Sequence, residues 1–171
     1  DPHAAVYWLA KMLVAGEDPR FIARRLVISA SEDIGNADPR ALSVAVAAMQ
    51  AVEFIGMPEG RITLAQATTY LATAPKSNAA CLAEAEAETD INAGRVMEVP
   101  EHLRNVHVKA VDKDLGDGYQ YPHNFDNHYV AQDYIPVAKV YYKPSNMGYE
   151  ETIAKRMAWW EEQKRKSENA T

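Results

Sequence analysis

Residues 16–42 read GEDPRFIARRLVISASEDIGNADPRAL, and this stretch decides the fold. The same punctuation occurs in it twice, as Glu17-Asp18-Pro19-Arg20 and as Ala37-Asp38-Pro39-Arg40, each time ahead of an apolar-periodic run. Aspartate at a helix N-cap accepts a hydrogen bond from a free backbone N–H, and proline at the first helical position gives up no internal bond. Two helix starts are therefore written here, with Gly16 closing the helix before them. Between the two starts lie paired cations, Arg24 and Arg25, and paired anions, Glu32 and Asp33. Charges so placed in an otherwise apolar segment form either an interaction patch or inter-subunit charge network, or an intramolecular network that can also cap neighbouring helices. In the second case Arg25, Ser29 and Glu32/Asp33 satisfy one another along one helical face.

Working outward, helix signals continue in both directions. A first helix spans about Pro2 to Ala15, with Ala5, Trp8, Leu9 and Met12 on one face. Ile22, Leu26 and Ala30 line the second helix. The third has Leu42, Ala45, Val46, Met49 and Val52 in period and ends at Gly56. Its other side is Val44, Ala47, Ala48 and Ala51, so it is apolar nearly all round and expected to be buried on several sides, at a domain centre or a subunit contact. Met57-Pro58 opens a fourth helix that ends at Ala74-Pro75, and a fifth follows to about Gly94. Short turns between such helices predict an all-α antiparallel array over residues 1–94. Residues 95–171 read as an irregular, tyrosine-rich extension plus a terminal helix from about Tyr149 to Lys166, packed on the same domain. Within it, Pro100 to Asn105 suits a helical turn and Val106 to Leu115 a short helix. Extended pieces are possible at 129–131 and 140–142.

Composition excludes several classes. The chain has 171 residues, long enough to bury a core, and 47% of them are hydrophobic. One cysteine, Cys81, rules out an internal disulfide framework and suits a reducing cytoplasm. No run of about 18 apolar residues predicts a membrane span. A formal net charge of −6 argues against a uniformly basic nucleic-acid surface. The abrupt start at Asp1-Pro2 reads as a piece of a longer chain.

Chemistry-bearing motifs are scarce. Nothing matches the phosphate loop G-x-x-x-x-G-K-[ST], whose backbone N–H groups and lysine cradle ATP, so ATP hydrolysis by these residues is not expected. Lys76-Ser77-Asn78 follows a helix end. It is read as a cap, with Ser77 or Asn78 starting the fifth helix and Lys76 facing the end of the fourth, in preference to a phosphate site. Seven of the nine tyrosines lie between Tyr119 and Tyr149, which invites a stacking platform for single-stranded DNA. The basic residues among them, Lys139 and Lys143, are few beside Asp117, Asp126 and Asp133. His123, Asp126 and His128 form a conceivable metal trio at no standard spacing, the weak basis of a metalloenzyme reading. Cys81, in an alanine-rich helix, reads as a small buried apolar residue. Glu84, Glu86, Glu88, Asp90, Glu98 and Glu101 read as a solvated acidic face.

Several blocks also carry a family likeness. Residues 16–42, with Ala-Ser-Glu-Asp-Ile-Gly at 30–35, and the block from Tyr70 to Asn78 ending in Ala-Pro-Lys-Ser-Asn are the most specific. Tyr7-Trp8-Leu9-Ala10, the run from Pro100 to Asn105 and Tyr141-Tyr142-Lys143-Pro144 follow in order. Together they resemble the C-terminal region of the replication-associated recombination protein A family (RarA, also called MgsA, relatives of the Werner helicase-interacting protein). These are AAA+ ATPases akin to clamp loaders. The resemblance implies a collar-like helical domain that assembles a homotetramer, with no cofactor of its own. ATP and Mg are implied for an upstream AAA+ domain. DNA and single-stranded DNA-binding protein are implied as partners of the whole protein, which acts at stalled replication forks. Candidate structural or interface residues are then Arg24, Arg25, Glu32, Asp33, Met49, Lys76, Ser77, Asn78 and the adjacent Trp159 and Trp160. Neighbouring tryptophans point about 100° apart on a helix, so one can fill a core while the other meets a partner. The alternative is a module that grips single-stranded DNA or a partner peptide through its tyrosines.

Overall fold

A computed structural model describes residues 1–104 and 120–169. The fold is all-α, without a strand among the described residues. Six α-helices follow one another: α1 Pro2–Val14, α2 Pro19–Ser29, α3 Arg40–Ile55, α4 Gly60–Thr73, α5 Ala79–Asn92 and α6 Glu150–Glu168. A π-helical turn, Ala30–Ile34, and a 3₁₀ turn, Gly35–Ala37, join α2 to α3. The chain divides into two compact units, one of residues 1–86 with 141–154 and one of 87–140 with 155–171.

In the first unit the helix starts are held by the residues expected to hold them. Asp18 accepts from the Arg20 N–H at 2.9 Å, and Asp38 from the Arg40 N–H at 3.2 Å. Asp1 does the same for His3 at 2.9 Å. Two apolar clusters result. Leu9, Ile22, Ala23, Val52 and Leu64 form one, with Met49 packed against it. Ala30, Ile34, Ala41, Ala45 and Leu71 form the other. Ala41, Ala45 and Ala48, spaced one helical turn apart along α3, let its neighbours approach closely. Leu64 is fully buried. Its replacement by alanine is expected to cost about 2–5 kcal/mol, the range for a large-to-small change in a packed core, read from the denaturant midpoint.

Three expectations are corrected, and one is met in part. The fourth helix begins at Gly60, because 57–59 form a turn. Of the four residues expected on the inward face of α1 only Leu9 is buried, with Leu13 packed beside it, while Trp8 stays 54% exposed beneath the Lys11 ammonium, 4.8 Å from its ring centroid. On α3 the expectation is met in part: its buried stripe packs against α2 and α4, while Leu42, Phe54 and Ile55 are exposed among the described residues. Cys81 is exposed, since α5 turns its alanines and not its thiol inward.

In the second unit the described residues between the end of α5 and the start of α6 hold only short helical turns. A 3₁₀ turn occupies Glu101–Leu103, and two more occupy Pro122–Asn124 and Asp126–His128. Residues 129–131 and 140–142 form no strand. The short helix expected at Val106 to Leu115 lies outside the described residues. Asp90, expected on a solvated face, is buried. It accepts from the Arg95 guanidinium and from Lys139 Nζ, both at 2.5 Å.

Candidate functional site

The polar centre of the first unit is a carboxylate with no counter-ion among the described residues. Glu150, the first residue of α6, is 0% exposed. One oxygen accepts from Ser77 Oγ at 2.6 Å and from the Ser145 N–H at 2.7 Å, the other from the Tyr142 hydroxyl at 2.8 Å. The Tyr142 hydroxyl accepts in turn from Asn36 Nδ2 at 3.3 Å. Burial alone would raise the Glu150 carboxyl. The bonds from Ser77, Ser145 and Tyr142 outweigh it and hold the carboxyl below its ordinary value. Burial, with the Glu150 bond and charge beside it, pushes the Tyr142 phenol up against the opposing pull of Asn36.

Backbone bonds complete this junction. The Ser77 N–H donates to the Asp33 carbonyl at 2.8 Å, and the Tyr149 N–H to the Ala37 carbonyl at 2.8 Å. Ser77 Oγ also accepts from the Ala79 N–H at 3.2 Å, capping α5. Lys76 Nζ donates to the Leu71 and Ala74 carbonyls at 2.8 and 2.5 Å, satisfying the open end of α4. Asn78 is exposed, and its carbonyl accepts the Leu82 N–H. Lys76 and Ser77 are thus engaged in capping, as the sequence led one to expect.

A second knot sits beside it. Asp38 is buried and accepts from Arg40 Nε at 2.9 Å and from the Tyr70 hydroxyl at 2.6 Å. The Arg40 bond holds the Asp38 carboxyl below its usual range, and the Asp38 bond raises the Tyr70 phenol.

The charged quartet on α2 and the π-turn does not pair as one network. Ser29 Oγ donates to Asp33 Oδ2 at 2.6 Å, while Arg24, Arg25 and Glu32 are exposed with no hydrogen bond or ion pair among the described residues. The intramolecular reading holds for Ser29 and Asp33 and does not extend to the arginines or Glu32. From Arg25 to Glu32 the helix rises about 10 Å, and the side chains do not close that gap.

In the second unit Trp159 is half-buried and meets Tyr129 edge-on at 5.5 Å, and the Tyr129 hydroxyl donates to the Trp160 carbonyl at 2.9 Å. Trp160 remains exposed. The His123 and His128 rings lie 4.7 Å apart. Among the described residues no three His, Cys, Asp or Glu side chains are grouped to hold a metal ion. Of the cations near the tyrosines, Lys139 and Lys164 are bound to Asp90 and Asp133, whereas Lys143 is exposed.

Glu150 carried no sequence signal, and Tyr142 only its place in the family block at 141–144. A lone glutamate opening a helix looks like any first-turn acid, and only the loop before it, folded back on residues 36 and 77, buries it.

A family model described as "MgsA AAA+ ATPase C terminal" matches residues 1–161. The chain is 55% identical over 161 residues to an uncharacterized AAA domain-containing protein of Mycobacterium tuberculosis, covering 92% of this chain and 36% of that protein. It is 45% identical to the replication-associated recombination protein A of Escherichia coli, over 97% of this chain and 38% of that protein. The protein of the same name from Bacillus subtilis is 46% identical, with 92% and 38% covered. The chain therefore spans a little over a third of the length of these relatives. Among the described residues no helix is long and apolar enough to cross a membrane.

Proposed function

The chain belongs to the C-terminal family of the MgsA AAA+ ATPases, and from that premise we propose that it is the homotetrameric assembly scaffold of a DNA-dependent ATPase. The carrying observation is an apolar turn left bare at the junction of α3 and α4. Phe54 is 93% exposed, Ile55 51% and Ile62 66%, with Met57 between them. Single exposed apolar residues are ordinary, but a run of four large ones around one turn marks an interaction surface. The occupant is a second copy of the chain, whose burial of this turn sets ATPase modules around one assembly. The upstream region would hold ATP and Mg and act on DNA during replication, recombination and repair in the cytoplasm. Single-stranded DNA-binding protein would be met by the whole protein. Replication and recombination come from the names of the relatives, the ATPase from the family description, and the rest from the resemblance of the sequence blocks.

Light scattering behind a sizing column, over a concentration series, tests it. The expected mass is that of four chains. Phe54→Ser should shift it downward with an unchanged far-UV spectrum, because the side chain makes little contact within its own chain. A monomer at every concentration overturns the scaffold and turns attention to DNA or peptide binding by the tyrosines.

A further inference from the structure

The exposed face of α2 and the π-turn carries its charges in a self-complementary order. Arg24 and Arg25 precede, and Glu32 and Asp33 follow, a midpoint between Ile28 and Ser29. All four are exposed, and Arg24, Arg25 and Glu32 have no partner among the described residues. Two cations side by side, and two anions about 12 Å further along the axis, repel within each pair and do not reach each other. An antiparallel copy of the same helix reverses the order and sets unlike charges opposite one another.

We propose that α2 packs antiparallel on α2 of a second copy about a two-fold axis near Ile28. The arginines of each copy then face Glu32 and Asp33 of the other. Such a contact is isologous, the same patch serving both sides. The π-turn supports the geometry. Its wider winding keeps Asp33 beside Ser29, whose hydroxyl fixes the carboxylate at 2.6 Å. Half-buried Ile28 and exposed Phe21 supply apolar surface along the same face. The contact rests on the scaffold reading and extends it. One isologous contact closes at two copies, whereas this face together with the apolar α3–α4 turn closes at four.

Charge reversal tests the contact. Arg24→Glu with Arg25→Glu makes the face wholly acidic, and Glu32→Arg with Asp33→Arg makes it wholly basic. Each doubly substituted chain alone should fall from four copies to two, with this contact weakened by about tenfold or more. An equimolar mixture should recover the four-copy mass, since an acidic face then meets a basic one at every position. For the unsubstituted chain, raising salt from about 0.05 to 0.5 M should weaken the same step, which decides the matter if a reversed chain fails to fold. A tetramer indifferent to reversal and salt, or a mixture that stays at two copies, overturns this contact and leaves the scaffold standing. A monomer throughout overturns both.

Discussion

Replacing Glu150 by alanine is expected to remove about 3–5 kcal/mol of stability, a third or more of what a domain of this size usually has. The carboxylate answers three donors at once, Ser77 Oγ, Tyr142 Oη and the Ser145 N–H, in a place with no water access. Each buried donor left without an acceptor costs about 1–3 kcal/mol, offset in part because the carboxylate's own burial no longer has to be overcome. Glu150→Gln should lose less, since the amide oxygen keeps one side of the junction and its NH₂ clashes with donors on the other. Urea unfolding at pH 7 measures both, and a loss under about 1 kcal/mol for the alanine variant would refute the junction's role. The pH dependence has a definite sign. Because the folded Glu150 carboxyl lies below its ordinary 4.5, its contribution is fully present above that value. It is lost as pH falls through the lowered folded value, and Asp38, shifted the same way, adds to the slope. The Glu150→Gln chain should therefore show a shallower acid limb than the unsubstituted one.

Gly148→Ala should be nearly as damaging, at about 3 kcal/mol or more. Gly148 sits at φ +55, where an L side chain is strained. A Cβ there would overlap the Ala37 carbonyl oxygen and lie 2.8 Å from Pro75 Cγ. The carbonyl cannot yield without giving up the Tyr149 N–H it accepts at 2.8 Å. Gly16 is the control. It also has positive φ, at +87, but nothing lies within 4 Å of where its Cβ would be. Gly16→Ala should cost only the conformational strain, about 1–2 kcal/mol. Equal losses at the two positions would mean that close packing at Gly148 contributes nothing.

Sequence reasoning reached what local chemistry encodes. Asp18-Pro19 and Asp38-Pro39 announce helices through bonds made within a few residues. Lys76 and Ser77 cap helices that their own neighbours define. The all-α class and the family follow from the same blocks. What stayed hidden depends on which segments meet. Trp8 shares a helix with Leu9, and only the placement of Ile22, Val52 and Leu64 decides that Leu9 goes inward. Asp90 looks like one acid among many until Arg95 and Lys139 fold onto it. The charge order on α2 is plain in the sequence, but its meaning needed the finding that Arg24, Arg25 and Glu32 make no bonds within the described residues.

The Glu150 junction also orders events in time. A chain leaves the ribosome from its N-terminus, so residues 1–86 emerge and begin to pack before residues 141–154 exist. Until then the Ser77 hydroxyl proton, Asn36 Nδ2 and the Ala37 carbonyl lack the partners that 141–154 supply and must stay hydrated, holding that end of the helical unit open. The segment that seals it arrives only after the whole of 87–140 has been made. Tyr142, Gly148 and Glu150 thus act as a clasp fastened last, and a nascent chain halted before them keeps a wet seam where the finished unit is dry.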